Sequence, residues 1–376
     1  QASIGSQTDV ICSGTSTGAV TITANGGTAP YSFDIGNGAQ PTGDFVNLAV
    51  DQYVVTVTDS QGCQVTVNVS ITEPNPLIGL IASQADATCF GLSDGSFTAS
   101  SQGGTPPYTY DIGQGSQTLG TFSGLPAGPI ALEIEDANGC TFNLAVTIGE
   151  PAILSGVVDS QTEVTCFGQS DAMATISASG GTPPYSYDIG SGTQAIGVFS
   201  NLSAGSYTVQ IADNNQCTYD VSLTILQPTQ LLGNTDNVVN ALCNGSSTGI
   251  VTFSAIGGVS PYTFDIGNGP QTTGEFTELP AGNYTCLITD FNGCLISESA
   301  TVGQPSPLVG SIVNQTDALC YGYNDGTVLV DAVGGIGPYS FDIGFGGQAY
   351  GAFNNLFADD YSILISDANG CEDSVG

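Results

Sequence analysis

The chain has 376 residues, 34 Asp plus Glu, and no Lys, Arg or His, giving a formal net charge of -34 at pH 7. Without basic side chains it can neutralise no phosphate, which excludes nucleic acid as a partner and disfavours anionic membrane surfaces, and it can form no side-chain salt bridge. No stretch has the ~18 apolar residues of a transmembrane helix, so no membrane insertion is expected in this window.

Repetition dominates the chain. Gly26-Gly-Thr-Ala-Pro-Tyr-Ser-Phe-Asp-Ile-Gly36 returns in variant form from Gly103, Gly180, Gly257 and Gly334, each start 77 residues after the last. The period divides the chain into repeats at 1–74, 75–151, 152–228, 229–305 and 306–376, the last incomplete at its C-terminal end. Because the chain starts and stops inside a period, it reads as a window of a longer array. A 77-residue unit hides only about 60% of its unfolded surface, so its core needs a staple or help from its neighbours. Each unit also carries about seven uncompensated negative charges, whose repulsion opposes compaction.

Through one period the elements read as strands. In the second repeat, Phe97 and Ala99 alternate with polar residues, then Tyr108, Tyr110 and Ile112, then Leu132 and Ile134, then Phe142, Leu144, Val146 and Ile148. Period-two runs broken by Gly, Pro, Asn and Asp predict half-buried antiparallel strands. With 52 Gly and 18 Pro, helix is disfavoured. Six or seven short strands per unit predict an all-β chain, a tandem array of five immunoglobulin-like antiparallel β-sandwiches. In the recurring motif the strand phase places Tyr31, Tyr108, Tyr185, Tyr262 and Tyr339 on the core side and turns the Asp outward. Glu73-Pro74, Glu150-Pro151, Gln227-Pro228 and Gln304-Pro305 close the units. These short proline junctions predict a fixed relation between neighbours.

Ten of the eleven cysteines form two series stepping by 77: Cys12, Cys89, Cys166, Cys243 and Cys320, and Cys63, Cys140, Cys217, Cys294 and Cys371. Two thiols per small unit, in a chain without His, predict disulfides rather than zinc, and with them an oxidising, extracellular setting. Pairing within a unit closes 51 residues and is worth on the order of 4 kcal/mol; pairing between adjacent units is the alternative. Cys286 shares register with Val55, Leu132, Val209 and Ile363 and is expected to be a buried free thiol.

Two aspartate series recur in every unit: Asp34, Asp111, Asp188, Asp265 and Asp342, and Asp59, Asp136, Asp213, Asp290 and Asp367. A third is partial: Asp9, Asp86, Glu163 and Asp317, with Asn240 in the fourth unit. An oxygen-only donor supply with excess negative charge points to Ca²⁺ as the cofactor, with the ten aspartates as candidate ligands. The competing reading makes the Asp136 series turn-formers that accept backbone N–H bonds, and the Asp111 series part of a solvated sheet face. No imidazole base, phosphate clamp or Schiff-base lysine exists, so no enzyme activity is expected.

Thr88-Cys89-Phe90-Gly91, Ser93-Asp94-Gly95, Gly103-Gly104-Thr105-Pro106-Pro107-Tyr108, Leu125-Pro126-Ala127-Gly128 and Asp136-Ala137-Asn138-Gly139-Cys140 together resemble the SprB-type repeat of large surface adhesins from gliding Bacteroidetes. The motifs are also similar to PKD-type sandwiches. The resemblance covers the whole chain five times. Tyr or Phe stands where the family usually has Trp, and the loss of every basic residue exceeds the family pattern. It implies a secreted, cell-surface β-sandwich array. Two roles follow: a stalk or fibre that self-associates with other copies of the repeat into filaments or bundles, or an adhesin module binding carbohydrate or another cell surface.

Overall fold

The computed structural model describes residues 1–376 and consists of strands, turns and loops with no helix. In the first repeat the strands are β1 (Ala2–Thr8), β2 (Gly18–Ala24), β3 (Ser32–Asp34), β4 (Asp44–Leu48), β5 (Asp51–Thr58) and β6 (Gln64–Ile71). They form two three-stranded antiparallel sheets, ordered β1-β2-β4 and β3-β5-β6. In immunoglobulin lettering that is A-B-E facing C-F-G, with the D strand replaced by the loop between β3 and β4. Alternation drives the assembly: Val20 and Ile22 of β2, Phe45 and Leu48 of β4, Val55 and Val57 of β5, and Val69 and Ile71 of β6 are all buried, with Phe33 of β3 among them. Each such side chain contributes about 1.5–3 kcal/mol on burial.

The same six strands recur in every repeat; in the second they run Ile78–Ala85, Gly95–Gln102, Thr109–Asp111, Thr121–Leu125, Gly128–Glu135 and Thr141–Ile148. Only the last two strands of the fifth repeat are more than one residue shorter than their counterparts, at Ile363–Ser366 and Glu372–Val375. The proline junctions lie between the final strand of one repeat and the first of the next, as between Ile71 and Ile78. The chain forms two compact units. One comprises Gln1–Val157, Ser177–Gly197 and Thr208–Val221; the other comprises Val158–Ile176, Val198–Tyr207 and Ser222–Gly376. The first two repeats thus lie wholly in one unit, the fourth and fifth wholly in the other, and the third is divided.

In the second repeat Phe97 and Phe122 meet with ring centroids 5.0 Å apart, over Leu132, Ile134, Val146 and Ile148. In the fourth, Phe253 and Phe276 form an edge-on pair at 6.2 Å, and Cys286 sits fully buried among Val251, Ile288 and Val302. Burial pushes the Cys286 thiol pKa up, so it packs as a small hydrophobe. Tyr31, Tyr108, Tyr262 and Tyr339 pack half-buried against their cores. Their hydroxyls, and that of Tyr185, donate to Gly26, Gly103, Gly257, Gly334 and Gly180 carbonyls. The proline preceding each of these tyrosines follows a cis peptide bond.

A second tyrosine carries a structural role that strand phase alone does not reveal. Tyr53, early in β5, donates to the Ala49 carbonyl four residues upstream, as Tyr207 does to Ser203 and Tyr284 to Pro280. This is the tyrosine corner of immunoglobulin-like sandwiches. The second repeat has Ile130 there.

The sheet margins are managed too. Strand β1 shifts register between Ile4 and Ser6, and its counterparts do so at Ile81/Ser83, Thr235/Asn237 and Ile312/Asn314. Such a bulge twists an edge away from foreign strands. The Gln7 amide donates to Ser70 O, and Gln84 and Gln161 donate to Thr147 O and Thr224 O, occupying acceptors along the β6 edge.

Phe97 is 1% exposed and anchors the second core. Phe97→Ala is expected to lower the opening free energy of that repeat's slowest-exchanging amides by about 3–5 kcal/mol. Hydrogen exchange resolved by repeat reads this; a change under about 1 kcal/mol contradicts the assigned core.

Candidate functional site: the joint between repeats

Each joint is built from two short turns. The first follows β1. Thr15 N donates to Cys12 O, closing a turn around Gly14, whose φ is 76°. Gly14 N then donates to Glu73 Oε2 at 2.6 Å, so the acid before the junction proline grips the cysteine loop. Gly91 uses Glu150 in the same way, Gly168 uses Gln227, and Gly245 uses Gln304. The third polar series adds a second clamp. Asp9 accepts from Thr72 N and Thr72 Oγ1, Asp86 from Gly149 N, and Asn240 Oδ1 from Gly303 N. The Thr72 hydroxyl, then the Thr72 amide and the Gln7 side chain, hold the Asp9 carboxyl below the usual range.

The second turn joins the last two strands and carries the second cysteine series. Asp136 Oδ1 accepts from Asn138 N and Cys140 N, while Oδ2 accepts from Thr105 N in the Gly-Gly-Thr loop. Asp213, Asp290 and Asp367 are arranged alike and are buried with Asp136. Asp59 repeats the pattern with Gln61, Cys63 and Thr28 in a more open setting. Its pKa is lowered, chiefly by the Cys63 amide. At Asp367 burial acts to raise the pKa, but amide bonds from Ile336, Cys371, Asn369 and Gly370 outweigh it and the net shift is downward. The Gly-Gly step is required here. Gly104 has φ 59°, and a Cβ on it would lie 2.7 Å from Asp136 Oδ2.

These two turns lie at opposite ends of one sandwich. The Asp59 turn touches Thr28, beyond the far end of β2, whereas Cys12 precedes the near end of that strand. A seven-residue strand spans about 24 Å, several times the Cα separation a disulfide tolerates. Pairing within a repeat, the simpler expectation, is therefore not what forms. Cys12 bonds Cys140, Cys89 bonds Cys217, Cys166 bonds Cys294 and Cys243 bonds Cys371, with Cα–Cα distances of 5.6, 5.8, 5.7 and 5.5 Å and a sequence separation of 128 each. Every bond joins one repeat to its successor. Cys63 and Cys320, both expected in disulfides, are instead free and exposed, and Cys286 is free and buried. The same 128-residue step from Cys63 or Cys320 reaches no cysteine of this chain. Beside the bonds, Asn215, Asn292 and Asn369 donate their side-chain amides to Thr88 O, Thr165 O and Leu242 O of the preceding repeat. At the first joint Asn138 donates instead to Thr105 Oγ1 in its own repeat.

The ten aspartates predicted as Ca²⁺ ligands each accept hydrogen bonds from backbone amides. Asp34 Oδ1 accepts from Gly36 N and Gly38 N, and Asp111, Asp188, Asp265 and Asp342 bind the matching glycine amides. The other five hold the cysteine turns just described. No three His, Cys, Asp or Glu side chains come together as a metal cluster would require. These carboxylates are aimed at nearby backbone amides.

The SprB repeat family model matches residues 4–40, 81–117, 158–194, 235–271 and 312–344, so the chain is a tandem array of SprB repeats. No curated protein matches the sequence. Among solved structures, the chain is similar to the N-terminal eight Ig domains of Down Syndrome Cell Adhesion Molecule, at 14% identity, 92% coverage of this chain, 63% of that one and TM-score 0.25. It thus spans under two thirds of that fragment. It is also similar to invasin, a bacterial integrin-binding protein (12% identity, 85% and 82% coverage, TM-score 0.31). Domains 1–6 of surface layer protein SbsC match at 12% identity, with 100% and 66% coverage and TM-score 0.23.

Peptide mapping of the oxidised protein is expected to recover the Cys12–Cys140, Cys89–Cys217, Cys166–Cys294 and Cys243–Cys371 pairs. A thiol reagent should label two groups per folded chain and a third only on unfolding; recovery of Cys89 linked to Cys140 would refute the staggered joint. A second expectation concerns pH. Because the Asp367 pKa is lowered, its contribution is present above the ordinary carboxylate pKa near 3.9 and is lost as pH falls through the lower folded value. The stability gap between the parent and Asp367→Asn should therefore narrow in acid. A gap that widens below pH 4 contradicts the assignment.

Proposed function

We propose that this chain is a structural, non-enzymatic part of an extracellular surface protein, a spacer or fibre segment in which each repeat is fastened to the next both by peptide and by disulfide. The observation that carries the reading is the staggered bonding. Each bond closes 128 residues and, taken alone, restricts the unfolded chain by about 5 kcal/mol, as large as the expected margin of a small sandwich. Disulfides persist in oxidising surroundings outside the cell. A chain without Lys or Arg also offers trypsin-like proteases no cleavage site.

The adhesin alternative receives less support. The five recurring tyrosines that would form a sugar-binding platform are half-buried in the first, second, fourth and fifth repeats, and all five hydroxyls are committed to glycine carbonyls. Lateral self-association into bundles would need open strand edges, and the bulged β1 and the glutamine-covered β6 edge oppose it. End-to-end continuation of the array is the form of assembly this reading favours.

A spacer must hold its ends apart. Small-angle scattering of the oxidised chain is expected to give a radius of gyration well above the ~21 Å of a compact protein of this length. A value near 21 Å would sink the spacer reading.

A further inference from the structure

The staggered pairing has a consequence that pairing within repeats would lack. The four bonds span residues 12–140, 89–217, 166–294 and 243–371, and each interval overlaps the next. Every peptide bond between Cys12 and Cys371 therefore lies inside at least one disulfide loop. Most of the second, third and fourth sandwiches, at 89–140, 166–217 and 243–294, lie inside two. The junctions, where chain is exposed between sandwiches, are each bridged as well. The 140–166 stretch lies within the Cys89–Cys217 loop, and the 217–243 stretch within the Cys166–Cys294 loop.

The bonds also sort into two interleaved covalent routes. One runs through Cys12–Cys140, the chain from 140 to 166, and Cys166–Cys294; the other runs through Cys89–Cys217, the chain from 217 to 243, and Cys243–Cys371. Each route uses different disulfides and different junctions, and the sandwich bodies link the two. Had Cys89 paired with Cys140 and Cys166 with Cys217, every junction would be a single unprotected strand of chain.

We infer that the array is built to survive backbone cleavage: a cut at any one peptide bond between Cys12 and Cys371 leaves it covalently whole until its disulfides are reduced. The joint cysteines favour this. Cys140 and Cys371 are buried and the other six bonded cysteines are half-buried, which restricts access of a reductant to the sulfurs. The inference concerns connectivity alone and stands apart from the spacer reading, since a compact array wired in this way would behave identically.

The absence of Lys and Arg makes the test clean, because one substitution creates a unique trypsin site. Gln230 is exposed in the junction before Leu231, and only the Cys166–Cys294 loop spans it. The full chain carrying Gln230→Lys is treated with iodoacetamide to block free thiols, unfolded in urea so that cutting does not depend on local opening, and digested. On a denaturing gel without reductant the expected result is one species at full mass. With dithiothreitol it should resolve into the 1–230 and 231–376 fragments. Adding Cys294→Ser to Gln230→Lys should release the fragments without reductant. Separation of the singly substituted chain without reductant overturns the inference. So does continued joining when Cys294 is absent, since the spanning bond would then lie elsewhere.

Discussion

The constraint on which the rest depends is that the two cysteines of a repeat lie at opposite ends of its sandwich. One sits in the loop after the first strand, the other in the turn between the last two, and a whole strand length separates them. A disulfide accepts Cα atoms only some 6 Å apart, so neither cysteine can reach its own partner. Each must bond a neighbour. Latching of successive repeats, protection of the junctions and the unpaired state of Cys63 and Cys320 all follow from that one distance.

Covalent fastening is also what this charge balance calls for. Without Lys, Arg or His, no ion pair between side chains can form at the joints between sandwiches. The acids instead turn inward on the backbone. Asp136 and its equivalents each accept several amide hydrogens, Asp34 and its equivalents hold a glycine loop, and Glu73 and Glu150 clamp the cysteine loops to the junctions. No buried side-chain nitrogen or oxygen lacks a partner. Hydrogen bonds to a charged acceptor are among the stronger ones, so carboxylates that repel one another at long range stabilise turns at short range.

Much of the architecture was legible beforehand because its signals are local. Alternation in Tyr108-Thr-Tyr110-Asp-Ile112 marks a strand wherever it occurs, and the 77-residue step makes each inference five times over. The register of Cys286 with Val55 and Leu132 sufficed to predict a buried thiol. Other features were not readable in that way. Tyr53 looks like an ordinary inward strand residue, and its corner bond to Ala49 exists only because the chain turns from β4 to β5 there. Gln7 looks like an ordinary solvent-facing amide until β1 is laid beside β6 and its side chain meets Ser70 O.

By itself, then, the sequence determined the repeat, its strand content, its sandwich class and the need for sulfur bonding, since these rest on periodicity, composition and thiol count. Which thiols meet was a tertiary decision. Spacings of 51 and 128 residues are equally open on paper, and loop entropy separates them by less than about 1 kcal/mol. Strand direction chose between them, by carrying the second cysteine of each repeat after the first to the far end of its own fold and into contact with the repeat before it.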